Sequence, residues 1–153
     1  MAGKGDNSGK QITDQLACVL ASTFTLQLKT QNFHWNVTGP NFAALHVLFE
    51  GQYNELFAAV DEVAERIRAL GPMAPGSYAA FQKLTTVEDA PAEPPGFKAM
   101  IAELAKDHET LSTACGDLRK SAESFADSVT GDLMNGRMMA HDKAGWMLRA
   151  HLE

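Results

Sequence analysis

Residues 42–70 read FAALHVLFEGQYNELFAAVDEVAERIRAL, and the spacing of their apolar side chains decides the fold class. Apolar residues recur in steps that alternate between three and four, which is the period of one face of an α-helix. That stripe consists of Phe42, Leu45, Phe49, Tyr53, Leu56, Val60, Val63, Ile67 and Leu70. Gly71 and Pro72 end the helix, and Asn41 stands where an N-cap residue is preferred. The stretch therefore predicts one long helix of a helix bundle.

The same period predicts three further long helices, over about 12–37, 96–125 and 128–152. Residues 73–95 are rich in Pro, Gly and Ala and form a long connection, with a short helix over 78–84. Strand-like alternation is absent from the sequence. Two short connections and one long crossover describe an all-α, ferritin-like four-helix bundle. We predict a single domain over residues 11–153, preceded by a flexible tail over the Gly- and Ser-rich residues 1–10.

Length, charge and hydropathy restrict the class of protein. A chain of 153 residues is long enough for one domain with its own core. The net charge of −6 gives no overall basic field that would hold nucleic acid. No apolar run approaches 18 residues and no secretory signal is seen, so we expect a cytoplasmic protein that does not span a membrane. Cys18 and Cys115 are far apart in sequence, and we predict that they are free thiols rather than a disulfide.

Histidine and carboxylate side chains flank the apolar stripe of the helix over 42–70. His46, Glu50, Asp61 and Glu65 lie beside the stripe, and His34 lies near the end of the preceding helix. Asp61 and Glu65 are one turn apart, so together they can grip one cation. A mixture of imidazole and carboxylate ligands suits Fe(II), with Zn(II) and Co(II) as competitors. These residues are our candidate metal ligands.

One chain alone cannot bring all of these ligands to a single metal ion. His46 and Asp61 are 15 positions apart, which is roughly 22 Å along a helix, yet they return to nearly the same side of it. A second, antiparallel copy would bring the carboxylates of one chain to the histidines of the other at a two-fold interface.

Spacing alone leaves a plainer interpretation open. Asp61 and Glu65 are then surface charges, with Glu65 facing Arg66 or Arg68, and the two histidines are caps or core residues. His108 and His141 lie on core-facing positions and are predicted to be hydrogen-bonded core histidines. The Glu-x-x-His pairs of a di-iron centre inside the bundle are absent from the sequence, which favours a site between chains.

Three segments resemble the Dps family (DNA-binding protein from starved cells), the mini-ferritins. They are KTQNFHWNVTGPNFAALH at 29–46, DEVAERIRALG at 61–71 and HDKAGWML at 141–148, and the resemblance extends over about 12–152. It implies a hollow dodecamer with ferroxidase centres between two-fold-related subunits. Fe(II) is then oxidised, preferentially by hydrogen peroxide, and stored as Fe(III), which protects against oxidative damage.

The resemblance also implies roles for individual residues. His34 and His46 of one subunit and Asp61 and Glu65 of its mate form the centre, and Glu50 is an auxiliary ligand for a second iron. Trp35, which follows His34, is either interface packing or a redox neighbour of the metal. Acidic pores on the three-fold axes correspond to Glu123, Asp127 and Asp132, which the plainer interpretation makes helix-end or N-cap acids.

The family name also raises DNA binding as a function. The predicted tail carries only Lys4 and Lys10, partly offset by Asp6, so weak and strongly salt-sensitive binding is expected. The alternative function is a nucleoid-associated protein that binds and compacts DNA and has a secondary metal role. A third interpretation is a structural bundle in which the four polar residues are interface contacts only.

Overall fold

Five helices make up the described part of the molecule. A computed structural model describes the backbone of residues 4–153 and the side chains of residues 9–153, and no strand occurs within this range. The helices are α1 (Lys4–Asn36), α2 (Phe42–Ala69), α3 (Tyr78–Leu84), α4 (Phe97–Ser124) and α5 (Ser128–Arg149). Four long helices with a short helix in the crossover confirm the predicted all-α bundle.

The first helix begins earlier than predicted. Residues 4–10, which we assigned to a flexible tail, continue α1, and residues 1–3 lie outside the described range. At the end of this extension Lys10 pairs with Asp14 one turn on, and the Thr13 hydroxyl donates to the Gly9 carbonyl. The flexibility of residues 4–10 and the domain boundary at residue 11 remain predictions.

The structure agrees with the predicted C-terminal end of α2 but not with the predicted N-cap. Gly71 adopts a φ of 114°, a left-handed conformation that glycine tolerates, directly after the last turn. Asn41 occupies the N-cap position, but its side chain makes no capping hydrogen bond, so the predicted cap is wrong in its chemistry. The chain instead enters α2 through a turn in which the Phe42 amide donates to the Gly39 carbonyl.

Two buried clusters form the core. One surrounds Phe33, Phe49 and Leu104, and the other surrounds Leu16, Val63 and other residues toward the opposite end of the bundle. The helices pack extensively as the pairs α1–α2 and α4–α5, whereas α2 and α5 hardly touch. The bundle is therefore two hairpins that separate along the α2–α5 side.

Two further predictions concern the cysteine thiols and the membrane-spanning capacity of the helices. Cys115 is buried, Cys18 is half-buried, and both are free, as predicted. Burial raises the pKa of the Cys115 thiol to about 11, so this thiol stays protonated at neutral pH. None of the helices in the described range has the length and apolar character that a membrane crossing requires.

Candidate metal centre

His34 and His46 lie against each other at the α1–α2 turn. His34 is in the last turn of α1 and His46 is near the start of α2, and the short connection folds the second helix back along the first. The two rings are nearly parallel, with an angle of 19° and centroids 3.8 Å apart. The hairpin thus brings together two residues that are 12 positions apart in sequence.

Backbone hydrogen bonds fix the tautomer of both imidazoles. The Nδ1 of His34 lies 2.8 Å from the His46 carbonyl oxygen, and the Nδ1 of His46 lies 2.9 Å from the His34 carbonyl oxygen. A carbonyl oxygen can only accept, so each Nδ1 carries a proton and donates. In the neutral ring the lone pair is then on Nε2, and both Nε2 atoms are available as metal ligands.

Aromatic side chains surround the histidine pair. Tyr53 meets His34 edge-on at 5.2 Å, and Phe42 lies tilted against His46 at 5.1 Å. His34 is buried and His46 is half-buried, whereas Trp35 and Phe57 expose 61% and 69% of their surface. Trp35 follows His34 directly and Phe57 lies about three turns after His46 on α2, and large exposed aromatic residues are typical of a surface that another protein chain covers.

Asp61 and Glu65 are exposed on α2 and free of ion pairs with any described residue. The arginines nearby are engaged elsewhere. Arg66 binds Asp127 at 2.8 Å and Thr130, and Arg68 donates to the carbonyls of Gly71 and Pro72. The pairing of Glu65 with either arginine is therefore not seen, whereas the exposure of both carboxylates agrees equally with surface charges and with ligands for a metal.

A single chain does not bring the four candidate ligands together. All four residues lie on the α1–α2 hairpin, but His46 and Asp61 are about 22 Å apart along α2. Within residues 9–153, no group of three or more His, Cys, Asp or Glu side chains is placed to hold a metal ion. The chain therefore carries the imidazole pair and the carboxylate pair as two separate groups on the α1–α2 hairpin. Glu50 is exposed one turn after His46, next to the imidazole pair.

Of the three candidate pore residues, Asp127 has a defined structural role. It caps α5, accepting from the Thr130 amide at 3.0 Å and the Thr130 hydroxyl at 2.5 Å, and it pairs with Arg66. Partial burial acts to raise the pKa of Asp127, but the hydrogen bonds from Thr130 and Arg66 outweigh it and lower that pKa. Glu123 contacts Arg119 at 3.4 Å, and Asp132 is exposed. The pore assignment itself remains a prediction.

Sequence reasoning missed a second polar group inside the bundle. His108 and His141 are buried and hydrogen-bonded through their Nδ1 atoms at 2.9 Å, which confirms the prediction of core histidines. The sequence did not indicate that Arg137 joins them and binds Glu55 of α2 through two hydrogen bonds. The sequence feature that could have revealed this group is the four-residue spacing from Arg137 to His141, which places both side chains on one face of a helix.

Comparison with known proteins agrees with this architecture. Residues 13–153 match the model of the ferritin-like domain. The chain is 36% identical to a low temperature-induced protein of Nostoc over 152 residues, which is 99% of this chain and 85% of the relative. It is 33% identical to DNA protection during starvation protein 2 of Bacillus anthracis, over 94% of this chain and 97% of the relative.

Solved structures narrow the class further. Dps from Thermosynechococcus elongatus superposes with a TM-score of 0.93 at 31% identity, covering 96% of this chain and 93% of that one. The Dps protein of Vibrio cholerae, described as a ferritin-like diiron-carboxylate protein, superposes with a TM-score of 0.91 at 25% identity, covering 100% and 98%. The chain therefore belongs to the Dps family of ferritin-like proteins.

Proposed function

We propose that this protein is a ferroxidase and iron-storage subunit. It oxidises Fe(II) at sites between two-fold-related subunits and stores Fe(III) inside a hollow oligomer, which we expect to be a dodecamer. The observation that carries the proposal is the histidine pair: both Nδ1 atoms are bound to backbone carbonyls, so both Nε2 atoms are left for a metal. A purely structural pair would have no need to keep both of these nitrogens unbound.

An antiparallel mate completes the site. Two α2 helices related by a two-fold axis set the imidazoles of one chain against Asp61 and Glu65 of the other, and neither carboxylate has a competing ion pair among the described residues. Exposed Trp35 and Phe57 supply apolar surface for this contact. The name of the Vibrio cholerae relative as a diiron-carboxylate protein supports iron as the substrate.

The ligand set suits the reaction. Carboxylates provide negative charge for a hard cation, and imidazoles add nitrogen donors, so that Fe(II) binds with coordination positions left for the oxidant. Two Fe(II) ions each lose one electron, and one hydrogen peroxide takes up both electrons and two protons to give two water molecules. We assign Glu50 to the second iron, Trp35 to a redox position near the centre, and Glu123, Asp127 and Asp132 to an entry pore. Zn(II) and Co(II) are expected to compete.

Anaerobic titration of the metal-free assembly with Fe(II), followed by a peroxide pulse, tests the proposal. Tyr53 and Trp35 fluorescence reports binding, and ferric absorbance reports oxidation. We expect saturation at one or two Fe(II) per site and prompt oxidation. The substitutions His46→Ala and Asp61→Ala should each abolish saturable binding, whereas Glu62→Ala, at an exposed neighbouring position of α2, should leave it unchanged. Oxidation in both site variants at the wild-type rate would refute the assignment.

DNA binding is the second candidate function. Two relatives are named DNA protection during starvation proteins, in Bacillus anthracis and Mycolicibacterium smegmatis. Twelve copies of the first turns of α1, each with Lys4 and with Lys10 paired to Asp14, would sum weak contacts on an otherwise acidic assembly. A gel-shift series across salt concentrations tests this: retardation that disappears between low and physiological salt would fit weak phosphate contacts. Retardation that persists at physiological salt would make DNA compaction a principal function.

A further inference from the structure

A cleft separates α2 from α5 on the side where the two hairpins part. Its volume is about 650 Å³, and its walls are mainly apolar, with Val47, Leu48, Ala140, Ala144 and Met147 among them. Gln52 and His108 line the same cleft and are both more than nine-tenths buried. The cleft is thus mainly apolar, with Gln52 and His108 buried in its wall, and Glu55, Lys143 and His151 line it as well.

Each of these two side chains has one polar atom without a partner. The Nε2 of His108 and the Oε1 of Gln52 are inaccessible to bulk solvent and make no hydrogen bond within the described residues. Leaving a buried polar atom unpaired costs about 1–3 kcal/mol, so native proteins rarely keep two of them beside one cavity. Two further unpaired atoms, the Oε1 of Gln15 and the Nε of Arg137, belong to residues outside the cleft lining, whereas the atoms of His108 and Gln52 are placed where a ligand in the cleft would satisfy both.

The neighbouring hydrogen bonds decide which of the two atoms donates. Arg137 can only donate, so the Nε2 of His141, 3.4 Å from its Nη2, accepts. Burial lowers the pKa of His108 to about 3 and that of His141 to about 2, so both rings are neutral. His141 therefore carries its proton on Nδ1 and donates to the Nδ1 of His108, which leaves the His108 proton on Nε2.

Gln52 presents the complementary group. Its Nε2 donates to the Ala144 carbonyl at 3.3 Å, and that contact would be repulsive if the amide were turned round. The unpaired atom is therefore the acceptor Oε1. One cleft offers an N–H donor from His108 and a carbonyl acceptor from Gln52.

We propose that the α2–α5 cleft binds a small uncharged molecule that carries a hydroxyl group on an apolar body, an alcohol or a phenol. A hydroxyl oxygen accepts from His108 and its proton goes to Gln52, while the hydrocarbon part fills the apolar cavity. A carboxylate has no proton to offer Gln52. A cation is disfavoured because the Nε2 of His108 carries a proton, and because Arg137 lies behind it.

Phenol, anisole and toluene are a graded set of probes for this site. The three share one ring, but phenol both donates and accepts, anisole only accepts and toluene does neither. Ligand-observed NMR on the intact assembly should give saturable binding of phenol, tighter than toluene by about 2- to 10-fold for each hydrogen bond gained. Anisole should lie between the two. Equal affinities for all three would contradict the hydrogen-bonding role of the cleft.

Substitutions localise the binding. Gly51 lines the cleft, and a Cβ added there meets no atom within 4 Å, so Gly51→Leu fills the cavity while favouring the helix. It should abolish phenol binding, and Gln52→Met, which removes the acceptor but leaves the His108 donor, should lower the affinity for phenol to about that for anisole. Val129→Leu, at an exposed position of α5 outside the cleft, is the matched control. No saturable phenol binding to the wild type, or binding that Gly51→Leu leaves intact, would overturn the proposal.

The measurement is independent of iron chemistry. Gly51 belongs neither to the histidine pair nor to the carboxylate pair, so Fe(II) titration of Gly51→Leu should match the wild type. Loss of phenol binding with unchanged ferroxidation separates the cleft from the metal centre. Failure of the Fe(II) experiments would leave the phenol result unaffected.

Discussion

His108 and His141 are histidines that folding keeps neutral. Burial is the main cause of their lowered pKa values, with the charge of Arg137 adding to it, and Glu55 balances that charge from α2. Because the folded pKa values lie far below the ordinary value of about 6.5, the unfolded chain binds more protons between pH 6.5 and about 3. Stability should therefore fall as the pH is lowered through this window.

Thermal unfolding at fixed protein concentration, measured at pH 5, 6, 7 and 8, checks this expectation. We expect a clear decrease in Tm from pH 7 to pH 5 for the wild type. The double variant His108→Phe/His141→Leu removes both titrating groups, so its Tm should start lower but decrease less over the same interval. Equal decreases in the two proteins would show that other groups control the acid response.

Lys29 and Asp107 form the most buried ion pair in the described range, with Nζ and Oδ2 2.9 Å apart. Burial raises the pKa of Asp107 despite the neighbouring ammonium, which indicates that desolvation outweighs the attraction. Lys29→Met alone leaves a buried carboxylate without its partner and should cost about 3 kcal/mol. Lys29→Met/Asp107→Leu should recover most of that loss, as urea unfolding of the three proteins would reveal. A double variant no more stable than the single one would show that the lone buried carboxylate is not the cause of the loss.

Individual residues also mark how far the sequence predicts the site. Residue type and spacing make His34, His46, Asp61 and Glu65 candidates but leave surface charges and core histidines as alternatives, and the resemblance to the Dps family is what selects these four. Spacing cannot predict that the two Nδ1 atoms bind each other's backbone carbonyls, since that depends on the closure of the α1–α2 turn. The same holds for Arg137 and Glu55, whose pairing requires α2 and α5 to lie at one particular separation.

At the scale of elements, the start of α5 depends on one carboxylate. Asp127 satisfies the Thr130 amide, binds its hydroxyl and holds Arg66 of α2. Asp127→Ala should lower the free energy of unfolding by about 1–2 kcal/mol through the lost cap, whereas Asp132→Ala, at an exposed position of the same helix, should change it little. Because the pKa of Asp127 is lowered in the fold, its contribution should be present above its ordinary pKa and lost as the pH falls further.

Asp127→Asn separates the two accounts of this residue. An asparagine oxygen can still cap the helix, so the variant should retain most of the stability measured by urea unfolding. A role in an acidic pore depends on charge, so slower Fe(II) uptake in Asp127→Asn with near-normal stability would favour the pore. Normal uptake in both variants would leave Asp127 as a cap alone.

Helix ends show why element boundaries are harder to predict than helices. The apolar stripe fixes α2, α4 and α5 to within a few residues. The predicted beginning of α1 is too late because the Gly- and Ser-rich residues 4–10 continue the helix without showing apolar periodicity. Crossover helix α3 was predicted from Tyr78 to Leu84 and observed there, anchored by buried Phe81, whose ring lies 4.9 Å from that of Phe24 on α1.

The whole molecule provides the decisive test of a site shared between chains. A subunit with His34→Ala/His46→Ala lacks the imidazole half, and one with Asp61→Ala/Glu65→Ala lacks the carboxylate half. Each should assemble alone, as size-exclusion chromatography would verify, and each should be inactive. In a mixed two-fold pair, the intact imidazoles of one chain meet the intact carboxylates of the other at one of the two sites.

Co-refolding the two variants in equal amounts should therefore restore activity. Random pairing makes half of the dimers mixed, and each mixed dimer has one intact site of two, so about a quarter of the wild-type peroxide-dependent oxidation is expected. The same variants assembled separately and then combined are the control and should stay inactive unless subunits exchange. If all ligands came from one chain, every chain in the mixture would remain defective and co-refolding would restore nothing.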